Sequence, residues 1–351
     1  MDSKKALIAM SGGVDSSVAA WLTLQEGFSC IGATMTLLGN DPNADSVADA
    51  RAVARRLGMD FHILDSSDVF RRSVMEDFVR CYEAGLTPNP CIVCNRKIKF
   101  GHLAEQAKAL GCDYVVTGHY ARIRYDKNTN RYLLYKAADD AKDQSYFLAS
   151  LTQEQLACAR FPLGEMTKEE ARQIAEQQGF INAKKRDSQD ICFVPDGDYV
   201  AFLERFTGKT YPAGNYLDAS GKVVGKHRGA VAYTLGQRKG LGIALGAPVY
   251  VCAKDMEKNT VTVGPESLLF CTALRAENWN WIPFPALTEP MGVTAKARSR
   301  HTGAPATVYP EKDGSARVVF DEPQRAITPG QAVVLYDGDL VIGSGTITGA
   351  M

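Results

Sequence analysis

Two groups of residues in this sequence have the types and spacing to do chemistry. The first is the run Ser11-Gly12-Gly13-Val14-Asp15-Ser16, with Ser17 after it, directly behind the apolar stretch Ala6–Met10. Glycines at such a place take backbone angles closed to other residues, so several N–H groups can converge on one point. A helix opening there adds unpaired N–H groups and the positive end of its dipole, which suits an anion. Ser11, Ser16 and Ser17 offer hydroxyls to phosphate oxygens. Asp15 would repel a phosphate unless a cation bridges the two, which points to Mg²⁺. A plain strand–helix turn with Ser and Asp as caps accounts for the same letters, and the spacing leaves both readings standing. The Lys of a Walker A loop is absent.

The second group is cysteine. Thr87-Pro-Asn-Pro-Cys-Ile-Val-Cys-Asn95 sets Cys91 and Cys94 in a C-x-x-C just ahead of a predicted helix. Cys94 is expected at or near the helix N-terminus, where the dipole favours thiolate, with Lys97 and Lys99 able to add to the effect. Structural zinc needs two further ligands, and neither a second C-x-x-C nor a histidine cluster supplies them. Cys192 lies in Asp187-Ser-Gln-Asp-Ile-Cys-Phe-Val194. Taken alone it reads as a buried core thiol. Cys30, Cys81, Cys112, Cys158, Cys252 and Cys271 sit in ordinary contexts and are read as structural.

These groups need elements to hold them. Apolar or β-branched runs at 6–10, 30–37, 61–64 and 114–118 alternate with helical patterns at 18–27, 44–58, 68–85 and 95–110. That alternation predicts βαβ units and a parallel sheet, hence an α/β fold. Residues 122–136 read as a hairpin around Lys127–Asn130, and helices near 153–160 and 167–178 close this half. Beyond residue 205 the texture turns to β, with short Val/Thr/Tyr runs between Gly- and Pro-rich turns. The predicted domains are 1–205, 206–275 and 276–351, the last a small β-barrel.

The chain has 351 residues, enough for two or three domains with a sizeable core. Lys plus Arg and Asp plus Glu number 40 each. The net charge is therefore zero, and a whole-chain basic field for nucleic acid is excluded. A local one is not. Residues 219–253 contain no acid, while Lys222, Lys226, Arg228, Arg238 and Lys239 supply five positive charges, with His227 among them. Such a run alone reads as a solvated face. The first residues show no secretory pattern, and no run approaches the ~20 apolar residues that span a bilayer. With nine cysteines, the expected setting is a reducing cytoplasm, away from membranes.

Taken in order, SGGVDSS, TPNPCIVCN followed by KIKFG, VVTGHYA, DQSYFL, DSQDICF, YTLGQRKGLGI and TPGQAVVLY resemble the bacterial tRNA-specific 2-thiouridylase family. That family lies within the N-type ATP pyrophosphatases, whose pyrophosphatase loop is SGGxDS, and the resemblance runs from Ala6 to Leu335. It implies an adenine-nucleotide-hydrolase-like (Rossmann-like) domain followed by two small β-rich modules. ATP would be held by Ala9, Met10, Ser11, Gly12, Gly13, Val14, Asp15 and Ser16. Met35 and Gly118 would frame the adenine at the carboxyl ends of strands, although Met35 by position alone reads as core packing.

The resemblance also implies a reaction. ATP adenylates the C2 oxygen of the wobble uridine, position 34, in the tRNAs for Lys, Glu and Gln, and sulfur then displaces AMP. Cys192 would carry that sulfur as a persulfide and Cys94 would be the nucleophile that frees it. A Cys94–Cys192 disulfide would remain for an external reductant. A cysteine desulfurase, directly or through a carrier protein, would supply the sulfur to what is expected to be a monomer. Asn89, Pro90 and Cys91 would touch the target base. His119, Asp143, Gln144, Ser145, Arg298, Ser299 and Gln331 would touch the tRNA. His119 alone reads as a satisfied strand-end histidine, and Ser299 stands where an aromatic residue is common.

One departure matters: family members carry aspartate where this chain has Cys91. Cys91, Cys94 and Cys192 could then ligate a [4Fe-4S] cluster whose open iron takes hydrosulfide. Three other functions share parts of the pattern. They are a different adenylating enzyme, a non-catalytic RNA-binding protein, and a thiol redox sensor.

Overall fold

The computed structural model describes residues 4–39, 45–185 and 191–351, so Asp187–Asp190 of the DSQDICF motif lie outside it. Four strands open the chain: β1 (Lys5–Ala9), β2 (Ser29–Thr36), β3 (Asp60–Asp65) and β4 (Tyr114–Val116). A hairpin of β5 (Arg122–Asp126) and β6 (Arg131–Tyr135) follows, and then the two-residue β7 (Ala159–Arg160). The first sheet is parallel, in the order β3-β2-β1-β4-β7. Its central strand shows why. Ala6 and Ile8 face one hydrophobic cluster and Leu7 faces another, all three with no exposed surface, as a strand covered on both faces requires.

Helix α1 (Val14–Gln25) starts before the expected 18–27, at the glycine loop itself, and α2 (Asp45–Arg56) falls within the expected 44–58. The two longer patterns hold a feature that periodicity at 3.6 does not reveal. Residues 67–83 run as Ser67–Phe70, a π turn over Arg71–Met75, and Glu76–Glu83. The next helix runs as Pro90–Cys94, a π segment over Asn95–His102, and Leu103–Ala109. The helix expected over 153–160 stops at Cys158, because Ala159 and Arg160 pair with β4 instead.

After the helix Tyr199–Thr207 the chain turns to β. β8 (Gly214–Leu217), β9 (Val223–His227), β10 (Tyr250–Asp255) and β11 (Thr260–Gly264) form a sheet in the order β10-β11-β8-β9. Tyr216, Val251, Val261 and Val263 fill its core. Lys222, Lys226, Arg228, Arg238 and Lys239 are all exposed on this module. His227 is the exception in the basic run, buried with its ring against Tyr216 and Tyr233.

The last six strands are β12 (Phe270–Trp281), β13 (Met291–Lys296), β14 (Ala304–Pro310), β15 (Ala316–Arg325), β16 (Ala332–Asp337) and β17 (Leu340–Ala350). They pair in the order β12-β15-β14-β13-β16-β17, and β12 also pairs with β17, closing the barrel that the sequence predicts. The β5–β6 hairpin does not join the parallel sheet. It extends the barrel sheet through the Leu340–Tyr135 pair, tying the first half of the chain to the last.

Candidate functional site

In the parallel sheet β1 lies between β2 and β4, so the strand order reverses direction at β1. The carboxyl ends of these strands are where an open α/β sheet takes a ligand. A cavity of about 490 Å³ lies there. Ala9, Met10, Ser11, Asp15 and Ser16 line it from the loop, Met35 from the end of β2, and Gly118 from just beyond β4. Gly12, Gly13 and Val14, expected to hold ATP as well, are not among the residues that line it. Only Gly12 takes a left-handed angle, φ +72°, and a Cβ there would meet the Ser46 carbonyl oxygen at 2.1 Å. Gly13, expected to share that freedom, is extended at φ −94° and serves as the N-cap of α1. Gly118 is needed for a different reason: a Cβ would lie 2.6 Å from the Asp15 carbonyl carbon.

The loop's hydroxyls divide. Ser11 and Ser16 line the cavity, and the Ser11 N–H donates to Ser16 Oγ at 3.2 Å. Ser17 does not face it, which corrects its expected role. It is fully buried and donates to the Gly13 carbonyl at 3.0 Å, while Asn182 Nδ2 donates to Ser17 Oγ at 3.0 Å and to the Gly12 carbonyl at 3.1 Å. Asp15 is held by the protein. Lys168 Nζ donates to Oδ1 at 2.7 Å and Oδ2 at 2.8 Å, and the Tyr120 hydroxyl donates to Oδ1 at 2.9 Å. Since both oxygens already face an ammonium, this carboxylate fits Mg²⁺ poorly. Asn182, Tyr120 and Lys168 were invisible in the sequence, where nothing ties them to a loop more than 100 residues away.

The same cavity is lined by Lys99, His119, Gln144 and Cys192. Cys192 is exposed, which corrects its reading in isolation as a buried core thiol. Cys91 is exposed and Cys94 partly buried. The expected place of Cys94 at a helix N-terminus is also corrected. The helix starts at Pro90 behind the N-cap Asn89, whose side chain accepts from the Cys91 N–H at 3.2 Å, so Cys94 lies a full turn inside. Its thiol is not acidified. Burial pushes it up to about 11, the Lys99 ammonium pulls the other way, and Cys192 and Cys91 add to the rise. Cys91 and Cys192 are likewise raised by desolvation and opposed by Lys99, with Cys91 also raising Cys192.

The π segment bears on how Lys99 serves Cys94. Residues five apart lie roughly 140° around an α-helix, whereas a π-helix, bonded i to i+5, brings them closer to one face. Cys94 and Lys99 are five apart across that segment. Among the described residues no three His, Cys, Asp or Glu side chains stand together as metal ligands.

His119 is buried between Thr117 and Lys99. Lys99 Nζ, a donor only, lies 3.4 Å from Nε2, so Nε2 accepts and the ring proton sits on Nδ1, donating to Thr117 Oγ1 at 2.7 Å. Burial first, and Lys99 second, hold this imidazole well below its usual range, so it is neutral. Gln144 is committed through Oε1 to the Tyr120 N–H at 3.0 Å.

The other expected tRNA contacts separate by exposure. Arg298 is exposed, Asn89, Asp143, Ser299 and Gln331 are partly so, and Pro90 is buried. Ser145 has no exposed surface, and its hydroxyl engages Asp143 Oδ2 at 2.9 Å and the Tyr336 hydroxyl at 3.2 Å. Buried this way, Pro90 and Ser145 support the site from beneath, which corrects their expected contact with RNA. Among the described residues no helix is long and apolar enough to cross a membrane.

The family model described as tRNA methyl transferase HUP domain matches residues 4–196, its PRC-barrel domain matches 200–265, and an aminomethyltransferase beta-barrel domain matches 271–347. A tRNA-specific 2-thiouridylase of Acetivibrio thermocellus is 48% identical, with 99% of this chain and 100% of that protein covered. Those of Moorella thermoacetica and Heliobacterium modesticaldum are each 49% identical over 97% of this chain, covering 98% and 91% of theirs. Among solved structures, a U34-tRNA thiolase of Methanococcus maripaludis with its [4Fe-4S] cluster overlays at a TM-score of 0.36 and 18% identity. It covers 58% of this chain and 68% of that one, too loosely to bear on mechanism. Identity near one half along the whole length settles the relationship: the chain belongs to the tRNA-specific 2-thiouridylase family.

Proposed function

We propose that this chain thiolates tRNA, using ATP to replace the C2 oxygen of the wobble uridine with sulfur in the tRNAs for Lys, Glu and Gln. The observation that carries the reading is one shared cavity. The Ser11–Ser16 loop, Met35, Gly118 and Cys192 all line it, though Cys192 lies far along the chain from the loop. Phosphate chemistry and sulfur chemistry therefore meet in one place.

A urea-like C2 carbonyl loses its oxygen poorly, so the oxygen first attacks the α-phosphorus of ATP and pyrophosphate leaves. AMP is then a competent leaving group. The sulfur arrives as a Cys192 persulfide, formed by a cysteine desulfurase or a sulfur carrier. The Cys94 thiolate attacks Cys192 Sγ, the Cys94–Cys192 bond forms, and the terminal sulfur departs as hydrosulfide with the electron pair of the broken S–S bond. Hydrosulfide adds at C2, AMP leaves, and 2-thiouridine remains. A dithiol reductant returns the disulfide to two thiols. Lys99 lies where it favours every anionic sulfur in this sequence. The exposed cations of the central module, Arg238 and Lys239 among them, carry the phosphates of the anticodon arm.

The test combines the protein, ATP, a sulfide source and unmodified tRNA for Lys. Formation of 2-thiouridine with tRNA-dependent AMP release is the expected result. AMP release without thiolation would favour a different adenylating enzyme. RNA binding with neither would leave a non-catalytic RNA-binding protein, and a reversible disulfide without ATP turnover would favour a redox sensor.

A further inference from the structure

A phosphate-binding loop that carries its own carboxylate has an electrostatic problem, and this structure holds an answer outside the loop. Lys168 is 4% exposed, a degree of burial that charged lysine tolerates only when paired. Its ammonium reaches both oxygens of Asp15, at 2.7 and 2.8 Å, across 153 residues of sequence. Tyr120 completes the clamp: its hydroxyl donates to Asp15 Oδ1 at 2.9 Å, and its ring lies with its centroid 6.0 Å from Lys168 Nζ.

The lysine is itself fixed at its base. It is the first residue of the helix Lys168–Gln177, whose N-cap Thr167 and Glu170 form a reciprocal capping box. Its own N–H donates to Asp139 Oδ2 at 3.2 Å. Long side chains lose rotamer freedom when buried, and here the stem leaves a rigid helix start and ends on the loop.

We propose that Lys168 is a positioning residue for the triphosphate of ATP, acting through Asp15. By holding and neutralising that carboxylate it leaves the loop with converging N–H groups and the Ser11 and Ser16 hydroxyls as its face toward the anion. Without the ammonium, Asp15 is an uncompensated charge in the first turn of α1, beside the phosphates. The proposal rests on the reading of this loop as an ATP site.

The test is a double-mutant cycle read as ATP affinity by calorimetry on the full chain, with ATP as the probe. Lys168→Met alone should weaken ATP at least tenfold. In a chain already carrying Asp15→Asn, adding Lys168→Met should cost less than threefold, because no carboxylate is left to neutralise. Lys168→Arg, which keeps the charge, should stay within threefold of the wild type. In turnover, Lys168→Met should raise KM for ATP with kcat changed less than threefold. Equal losses in both backgrounds would overturn the proposal, and so would unchanged affinity in Lys168→Met. If Lys168→Met alone does not fold, the doubly substituted chain and Lys168→Arg decide: a large loss in either overturns it. Wild-type protein that bound no ATP would instead overturn the nucleotide reading of the loop, and this role with it.

Discussion

The Gln331 side-chain amide donates to the Thr87 carbonyl at 2.8 Å, joining the barrel to the segment that leads into Cys91 and Cys94. The contact is reinforced, since the Thr87 N–H donates to the Pro329 carbonyl at 2.9 Å. Gly330 lies at φ +90°, where a Cβ would come within 2.8 Å of the Thr87 nitrogen. Two motifs separated by most of the chain thus form one joint. Gln331→Ala should release about 1 kcal/mol of local stability, seen as roughly fivefold faster amide exchange over residues 87–94. Unchanged exchange there would show that the barrel does not brace the cysteine segment.

The two thiols proposed to move sulfur should separate from the nucleotide step. Cys94→Ser and Cys192→Ser should each lower thiolation about a hundredfold or more, because the nucleophile and the carrier act as a unit. AMP formation in the presence of tRNA should persist in both. Loss of AMP formation would mean that these residues shape the ATP site and not the sulfur path.

Lys99 opposes the rise of the Cys94 thiol, which stands at about 11. Lys99→Met should drive it higher. The readout is the rate of iodoacetamide labelling at Cys94, followed by mass spectrometry near the ordinary thiol value of 9.0. Labelling should slow several-fold, while Lys99→Arg holds the wild-type rate. Equal rates in Lys99→Met would remove Lys99 from the sulfur chemistry.

His119 gives a pH dependence of defined sign. Its folded value lies well below the ordinary 6.5, so in the window between them the unfolded chain binds a proton that the folded chain refuses. This contribution to stability is complete above 6.5 and is lost as pH falls toward the folded value. His119→Gln should flatten the acid side of the stability curve. Denaturant melts at several pH values measure it, and an unaltered slope would contradict the burial of a neutral ring.

Arg238 and Lys239 are exposed on the central module, beside the loop 240–249. Reversing both charges should weaken tRNA binding roughly tenfold. The slope of log affinity against log salt should fall by about 1–2. Binding that stays the same at low and high salt would place the tRNA elsewhere.

The sequence by itself determined the local parts. Short apolar or β-branched runs alternating with helical patterns marked the buried strands, and a glycine pair between strand and helix marked the anion loop. The ordered motifs, from SGGVDSS to TPGQAVVLY, carried the family. Each of these signals lies within a few residues of chain, where spacing and side-chain type suffice.

What the sequence left undecided depends on contacts across long separations and on burial. Cys94 looked acidified from its place just ahead of a predicted helix, yet its thiol is pushed up to about 11, because desolvation outweighs the Lys99 ammonium. Ser17 and Ser145 read as ligand contacts, and the fold buries both with no exposed surface. No periodicity announced the π segment Asn95–His102 that carries Lys99. Lys168 reached Asp15 only when the helix Lys168–Gln177 packed on α1, and Gln331 reached Thr87 only when the barrel met the first half of the chain. Motif spacing reports what the backbone offers locally, whereas the charge state and exposure of a side chain are set by neighbours that only the folded chain brings near.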